Sequence, residues 1–215
     1  MSSDPLTTLR VYERMKAEII GGRFPPRAVL VERVLASEYR VSVSPVRNGA
    51  YRLLGEGLLE LHPGGGFQIP DIEEPALRDL YFWHGQLVRN AINAKRRQGF
   101  DVAFARSEVP DDLTTPVGVA AAAAHLFSFI ARQSPNTEHR KAILTAGKRL
   151  YPVRIKEPLV INGVVDEILA VRTLTATGPT SDLITAIWAY HRRRIRRVGD
   201  LVVAAGGTPI GSENG

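Results

Sequence analysis

The sequence predicts a mostly α-helical protein built from two parts, and three observations carry this prediction. In the first 70 residues, apolar side chains recur at helical spacing and lead into a glycine-rich hairpin pattern. After residue 75, helical periodicity continues without any strand alternation. Proline and acidic residues separate the two stretches. We therefore predict an N-terminal domain, a linker, an all-α bundle and a flexible tail over residues 1–70, 71–75, 76–205 and 206–215.

The N-terminal domain begins with an amphipathic helix over residues 6–20, followed by a rigid bend at Pro25-Pro26. A second helix is predicted over residues 31–39 and a tight turn over residues 40–42. The third helix begins near Pro45, because a proline loses no hydrogen bond in the first turn. Ser42 or Ser44 can cap this helix through its hydroxyl. The apolar residues of this helix fall on one side and its polar residues largely on the other: Val46, Ala50, Leu53 and Leu54 against Arg47, Asn48, Tyr51 and Arg52.

A small hairpin follows the third helix. Gly55 and Gly57 end the helix, and the leucines at 58, 59 and 61 begin a strand. Residues 63–66 turn the chain, and Phe67 and Ile69 form the returning strand. Together these elements are a winged helix-turn-helix, whose second helix fits the DNA major groove. The plain alternative is a helical hairpin with an appended β-hairpin.

Residues 9–70 resemble the DNA-binding domain of GntR-type bacterial transcription regulators of the FadR-like subfamily. The motif stands here as Val41-Ser42-Val43-Ser44-Pro45-Val46-Arg47-Asn48-Gly49-Ala50, followed by Leu54-Gly55-Glu56-Gly57-Leu58. Val43, Asn48 and Gly65 replace the family's usual Arg, Glu and wing Arg. Because valine can contact a thymine methyl group, we expect an operator that differs from those of typical relatives.

The resemblance implies which residues meet DNA. Arg33 and Arg47 match family arginines that contact bases or phosphates, and the alternative for each is a solvated surface charge. His62 and the wing glycines match the part that approaches the minor groove or the backbone, although a bare hairpin turn explains them equally well. The predicted DNA-binding set is Arg33, Ser42, Val43, Ser44, Pro45, Arg47, Arg52, His62, Gly64 and Gly65.

The second part reads as five or six helices. They are predicted over residues 76–97, 117–132, 137–151, 159–175 and 181–205, with residues 101–116 ambiguous and Pro152 and Pro158 as interruptions. Their order resembles the FCD-type ligand-binding domain that follows many GntR-type domains. The residues that carry this fainter likeness are Phe127-Ser128, Asn136, Asp166-Glu167 and Tyr190-His191.

The resemblance implies a divalent metal held by one Asp and three His, which helps to bind a small carboxylate. The four corresponding positions are Ala124, Ser128, Glu167 and His191, so only the third histidine is kept, as His191. Too few ligands remain for a closed zinc site, and we expect neither this metal nor another cofactor. The family's Arg near the effector falls at His84. We predict an effector pocket at His84, His125, Ser128, Glu167 and His191, or else a filled core in which such groups bond to one another.

Composition and charge limit the classes of function and the kinds of site that the chain can have. The net charge of +6 is compatible with a polyanionic partner, but the first 70 residues hold nine Arg/Lys against seven Asp/Glu, so charge does not locate the DNA-binding part. The chain has no cysteine, which excludes disulfides and cysteine-ligated metals. We see neither an apolar run near 18 residues nor a signal peptide, and expect a cytoplasmic protein that does not enter a membrane. The arginines over residues 192–197 read as a solvated helix face more readily than as a second anion-binding surface.

These patterns predict a transcription regulator, most simply a repressor, that binds a near-palindromic DNA operator as a homodimer. A small organic acid in the helical domain would modulate its DNA affinity. One alternative is an enzyme that uses His and Glu of the helical domain as acid and base, but the sequence shows no zinc-protease motif, nucleophile elbow or phosphate loop. The other is a regulator that has lost its effector site.

Overall fold

A computed structural model describes residues 5–101 and 112–208 of the chain. It divides into two compact units, one ending at Ile72 and the other beginning at Glu73. Most of the ambiguous segment 101–116, and all of the predicted tail beyond residue 208, lie outside the described residues. Within the described ranges, no helix combines the length and the apolar character that crossing a membrane requires.

The first unit holds three helices and a small antiparallel sheet of strand order β1-β3-β2. The elements are α1 (Pro5–Ile20), β1 (Val29–Leu30), α2 (Glu32–Tyr39), α3 (Val43–Gly55), β2 (Glu60–Leu61) and β3 (Phe67–Gln68). This arrangement confirms the predicted winged helix-turn-helix. The sequence did not identify β1 as a strand, because two residues are too short to show alternation. Leu58 and Leu59 are buried just ahead of β2 instead of lying within it.

α1 fixes the position of α3. Their shared core includes Tyr12, Met15, Val46 and Leu53, each at most 3% exposed. Gly49 lets the two helices approach closely, since an added Cβ would lie 3.3 Å from the Met15 sulfur and 3.3 Å from the Tyr12 Cα. The third helix therefore rests on α1 along its apolar face and leaves its polar face outside.

The turn between α2 and α3 closes without the predicted serine cap. Arg40 adopts the left-handed conformation with φ 57°, and the helix end is closed by backbone hydrogen bonds to Ala36 and Ser37. Ser42 occupies the N-cap position of α3 but its hydroxyl makes no capping hydrogen bond, and Ser44 already lies inside the helix. The prediction of a hydroxyl cap was wrong, although the position of the turn was right.

The second unit is all-helical, as predicted, with seven helices in its described part. They are α4 (Glu74–Lys95), α5 (Pro116–Gln133), α6 (Thr137–Arg154), α7 (Glu157–Val160), α8 (Val164–Thr177), α9 (Ser181–Arg196) and α10 (Val198–Ala204). α4 lies at the centre and packs against α5, α6 and α9. It begins at Glu74, so the last two residues of the predicted linker belong to this helix.

Three helix predictions needed correction. The helix predicted over residues 159–175 is split: α7 ends at Val160, where the C-cap Ile161 is extended, and α8 begins after Gly163, which adopts a left-handed φ of 67°. The helix predicted over 181–205 breaks at Arg197, where φ and ψ are −110° and 18°. Pro152 does not interrupt α6, which continues to Arg154. Only two residues follow this proline, so the helix loses a single backbone bond close to its end.

Candidate DNA-binding surface and buried polar cluster

The exposed face of α3 is the candidate DNA-binding surface. Ser44, Arg47 and Asn48 are exposed in its first turns, where a recognition helix meets base edges. Tyr51 continues this face with 57% of its surface exposed. Its ring packs edge-on against Phe67 of the wing at 5.0 Å between centroids, which joins α3 to the hairpin. Sequence reasoning placed Tyr51 on this side but did not include it among the DNA contacts.

Arg47 is held by a carboxylate of the preceding helix. Its Nε donates to Glu32 Oε1 at 3.1 Å and Oε2 at 3.0 Å, and its Nη2 donates to Oε2 at 2.7 Å. The hydrogen bonds that Arg47 donates to Glu32 raise the pKa of Arg47, so the guanidinium stays charged. A base or phosphate must therefore compete with Glu32 for this side chain. Sequence reasoning missed Glu32, because the two residues are 15 positions apart and no local spacing rule joins them.

Other members of the predicted DNA-binding set differ in accessibility. Arg33, Ser42 and Arg52 are exposed. The Arg52 guanidinium lies 3.8 Å from the centroid of the Tyr12 ring, so it stacks on α1. Pro45 is buried in the first turn of α3, and its contact with DNA stays a prediction. Val43 is half-buried against the core of the unit, and its contact with DNA stays a prediction.

The wing is a short hairpin closed by backbone hydrogen bonds. Gly65 N–H donates to the His62 carbonyl at 2.8 Å and His62 N–H donates to the Gly66 carbonyl at 3.1 Å. Gly65 and Gly66 take positive φ values of 91° and 83°, which a side chain would strain. The Gly64 N–H donates to His62 Nδ1 at 3.1 Å, so this nitrogen is an acceptor. Gly64 and Gly65 are exposed and His62 is half-buried.

In the second unit, the structure brings His84 and His191 together. Both are fully buried, and His84 Nδ1 lies 2.8 Å from His191 Nε2. His191 Nδ1 lies 2.7 Å from the Ile187 carbonyl, which can only accept, so Nδ1 carries a proton. Burial lowers the pKa of His191 to about 3 and holds the pKa of His84 well below its usual range. Both rings are therefore neutral, His84 Nδ1 donates to His191, and His84 Nε2 is an unprotonated acceptor.

Arg154 lies in the same interior. It is fully buried, and its guanidinium carbon lies 4.9 Å from the centroid of the Phe127 ring. Among the residues that the structure describes, none forms a hydrogen bond with any of its three guanidinium nitrogens, and His84 Nε2 likewise has no partner there. Sequence reasoning missed Arg154 because the predicted helix ended at residue 151, which left this arginine outside the bundle.

A second buried arginine is fully engaged through its terminal nitrogens. Arg194 Nη2 donates to Glu157 Oε2 at 2.9 Å, and its Nη1 donates to Glu167 and, at 3.1 Å, to the Tyr190 carbonyl. Tyr81 also donates to Glu157, at 2.8 Å. Arg194 belongs to the arginine run that was predicted to be a solvated face. That prediction was wrong at this position, because Arg194 is 0% exposed and joins α9 to α7 and α8.

The remaining residues of the predicted pocket differ in burial. His125 is exposed on α5, so its placement in the interior was wrong: the buried stripe of α5 passes through Ala122, Ala123 and Leu126 instead. Ser128 is half-buried. Glu167 is half-buried and accepts from Arg194. Within the predicted pocket, His84 and His191 are in mutual contact.

The residues present do not fit the metal that the resemblance implies. Ala124 and Ser128 offer no usual ligand, and Glu167 is bound by Arg194. Both His191 nitrogens already make hydrogen bonds. In the part of the chain that the structure describes, no three His, Cys, Asp or Glu side chains are grouped to hold a metal ion. The absence of a cofactor stays a prediction.

Comparison with known proteins identifies the first unit. Residues 7–69 match the family described as "Bacterial regulatory proteins, gntR family". The HTH-type transcriptional repressor GlaR of Escherichia coli (strain K12) is 30% identical over 76 residues, which are 35% of this chain and 34% of that protein. The match thus spans about a third of the curated relative.

Solved structures extend the likeness to the whole fold. A putative transcriptional regulator GntR from Rhodococcus sp. RHA1 has a TM-score of 0.77 at 17% identity, covering 89% of this chain and 96% of that one. E. coli McbR/YncC has a TM-score of 0.61 at 20% identity, covering 92% and 98%. At these identities the likeness concerns the fold alone, and it agrees with a winged helix-turn-helix followed by a helical domain. Residues 7–69 thus match the helix-turn-helix domain of the GntR family of bacterial regulatory proteins.

Proposed function

We propose that the protein is a transcription regulator that binds a specific DNA operator, and that a small organic acid bound in its helical unit changes its DNA affinity. The observation that carries the first half is the exposed polar face of α3. Ser44, Arg47 and Asn48 stand in the first turns of a helix whose opposite face is packed on α1. Such a face can enter a major groove without disturbing the core.

The parts of the surface have different tasks in this proposal. Arg47 can donate two hydrogen bonds to guanine or clamp a phosphate once Glu32 releases it. The exposed glycines Gly64 and Gly65 allow the wing to approach the DNA backbone closely. The net charge of +6 favours encounter with a polyanion. A homodimer would place two copies of α3 in successive major grooves of a near-palindromic operator.

We propose a repressor and not an enzyme. Glu167 is bound by Arg194, and the buried histidines bond to each other and to the Ile187 carbonyl. These contacts engage Glu167 and both nitrogens of His191, which argues against an acid–base pair formed by these two residues. A relative that bears the word repressor in its name supports the direction of regulation.

Selection of a randomised duplex library by the purified protein, followed by sequencing of the bound DNA, tests this function. An enriched inverted repeat would support a dimeric regulator and supply its operator. Recovery without a motif, together with a steep salt dependence, would mean that only the DNA backbone is bound and would contradict sequence-specific binding. On the selected duplex, Arg47→Ala should weaken binding about tenfold or more and relax one base position. Arg10→Ala, which removes an exposed arginine from α1, is the matched control.

A further inference from the structure

We propose that Arg154 anchors a buried, metal-free site for a small 2-hydroxycarboxylate, whose hydroxyl group donates to His84 Nε2. This inference rests on the proposed effector role of the helical unit and names the chemical class of the effector. It follows from two unpartnered polar groups in the described chain, one donor and one acceptor, that face the same position on α6.

Arg154 is the donor. A guanidinium carries five N–H donors and stays charged inside a protein. In a fully buried position, donors without acceptors are costly, and so is a charge without a counter-ion in contact. The structure describes no hydrogen-bond partner for Nε, Nη1 or Nη2 of Arg154. An anion with two oxygens in a plane would satisfy the guanidinium fork.

Arg194 shows that the unit can satisfy a buried arginine with its own side chains. It is as fully buried as Arg154, yet its Nη groups reach Glu157, Glu167 and the Tyr190 carbonyl. The carboxylates of this part of the core are thus engaged by Arg194. The contrast between the two arginines marks Arg154 as the one to which the described residues supply no acceptor, and we assign that acceptor to a bound anion.

His84 is the acceptor. The Ile187 carbonyl fixes the proton of His191 on Nδ1, which makes His191 Nε2 the acceptor for His84 Nδ1–H. Because His84 carries its proton on Nδ1, its Nε2 has a free lone pair, and this nitrogen is buried and has no described partner. A bound molecule therefore satisfies His84 only if it carries a hydrogen-bond donor. A simple carboxylate, which is ionised at neutral pH, has none.

Gly147 places the two groups at one site. A Cβ built at Gly147 would lie 3.8 Å from His84 Nε2 and 3.9 Å from Arg154 Nη1, which are ordinary contact distances. Outside residues 146–148 and the adjacent backbone of α6, the described chain brings no other heavy atom within 4 Å of that point. The missing side chain thus leaves at least a methyl-sized space beside both the donor and the acceptor.

The two groups together define the ligand. Its anionic part accepts from the guanidinium, and a hydroxyl on the neighbouring carbon donates to the imidazole. A 2-hydroxycarboxylate combines both within a few atoms, and its single charge is balanced by Arg154. Hydrogen phosphate also combines an anion with a hydroxyl, so a test must separate the two chemistries.

The test is isothermal titration calorimetry of the full chain near neutral pH with lactate, propanoate, glycerol and inorganic phosphate as probes. We expect lactate to bind and propanoate to bind about tenfold more weakly, since it leaves the His84 acceptor unpaired. Glycerol, which lacks the charge, should not bind. Equal affinities for lactate and propanoate would overturn the role of His84. Binding of phosphate in preference to lactate would overturn the carboxylate assignment.

Two variants test the residues. Arg154→Met keeps most of the length of the side chain and removes the anchor, so lactate affinity should fall at least about tenfold. Gly147→Ala puts a methyl group between the two groups, so it should weaken lactate binding while raising the thermal midpoint of the free protein through better helix propensity. Arg149→Met, which replaces an arginine on the same helix outside the core, is the control and should bind lactate like the wild type.

Failure of this inference and failure of the proposed function are distinguishable. If the wild type binds none of the probes, or if the Arg154→Met and Gly147→Ala variants bind lactate unchanged, the anion site is overturned. The same proteins can be titrated without lactate against the duplex recovered by selection. We expect Arg154→Met to bind that duplex like the wild type, because the DNA-binding surface lies in the first unit. Loss of DNA binding in the Arg154→Met variant, with its thermal midpoint unchanged, would contradict the separation of the two sites.

Discussion

At the scale of single residues, the contact between Arg47 and Glu32 sets the starting state for DNA binding. Three hydrogen bonds of 2.7–3.1 Å hold the guanidinium against the carboxylate of α2. When Arg47 binds a base, its guanidinium exchanges the Glu32 carboxylate for an acceptor on the base. Part of the gain in binding free energy is therefore offset by the loss of the Glu32 contact. This exchange also penalises DNA sites that offer Arg47 no good acceptor.

Glu32→Gln is predicted to tighten DNA binding while weakening discrimination between sequences. The amide keeps the shape of the side chain but holds a guanidinium less strongly than a carboxylate does. Because exposed ion pairs contribute little, the gain in affinity on the selected duplex should be only about two- to fivefold. Fluorescence anisotropy with the selected duplex and a scrambled duplex measures both effects. A weaker affinity for the selected duplex would mean instead that Glu32 orients Arg47 for readout.

The buried histidine pair predicts how stability depends on pH. Burial lowers the pKa of His191 from 6.5 to about 3 and that of His84 in the same direction. The unfolded chain therefore binds more protons than the folded one between these values, so stability is fully present above the unfolded pKa and is lost as the pH falls. We expect the free energy of unfolding to decrease between about pH 7 and pH 5.

Urea denaturation across this pH range measures the effect. His191→Asn removes one titrating ring, and its amide can still donate to the Ile187 carbonyl, so the decrease should become shallower in this variant. Carboxylates of the native state titrate mainly below about pH 5, which keeps their contribution outside the window. An identical slope in wild type and His191→Asn would show that the imidazole titration does not govern stability there.

At the scale of elements, Arg194 fastens three helices of the second unit. It lies on α9 and contacts Glu157 of α7 and Glu167 of α8. Removing one partner of a buried ion pair leaves an uncompensated charge. We predict that Arg194→Met lowers the free energy of unfolding by about 3–5 kcal/mol, and that adding Glu157→Gln to it restores a large part of this loss.

Urea unfolding of the single and double variants tests this prediction. Arg154→Met is the variant for comparison, because it removes an equally buried arginine that has no described hydrogen-bond partner. Its unfolding midpoint in the absence of ligand should match or exceed that of the wild type. Equal losses for the two arginine variants would refute the view that one is paired and the other is not.

The elements of the first unit could be predicted because their signals are local. The Ser-flanked turn, Pro45 and the paired glycines fix α3 and the hairpin within a short stretch of sequence. The sequence predicted that the second unit is all-helical, but it did not predict where the helices of this unit end. Gly163 is one of many glycines, and only the structure shows that it takes a left-handed conformation. The break falls at Arg197, which is not a residue that usually ends a helix, so the sequence did not mark it.

The candidate sites were predictable only where sequence neighbours form them. Arg47 could be assigned from the motif, whereas its partner Glu32 comes from another helix. In the second unit, His84 and His191 are 107 positions apart, and their contact was one of several equally open pairings. Arg154 was missed for a physical reason: a proline two residues earlier usually ends a helix, and here the helix continues long enough to bury the arginine.

At the scale of the whole molecule, the proposed DNA-binding and anion-binding sites reside in different compact units. Regulation then requires a coupling free energy between them, and such coupling is reciprocal. If lactate changes the affinity for the selected duplex by some factor, the duplex must change the affinity for lactate by the same factor. A ligand that binds both states equally would change nothing, however tightly it bound.

We predict a coupling factor of roughly 5–150, with lactate weakening DNA binding as expected for a repressor that a small acid releases from its operator. Anisotropy titrations with and without saturating lactate, and calorimetric titrations of lactate with and without the duplex, give the factor independently. Arg154→Met should abolish the coupling and keep DNA binding, whereas Arg47→Ala should weaken DNA binding and keep lactate binding. A lactate effect on DNA affinity that persists in the Arg154→Met variant would place the coupling at another site, because an effector acts only through the contacts it makes.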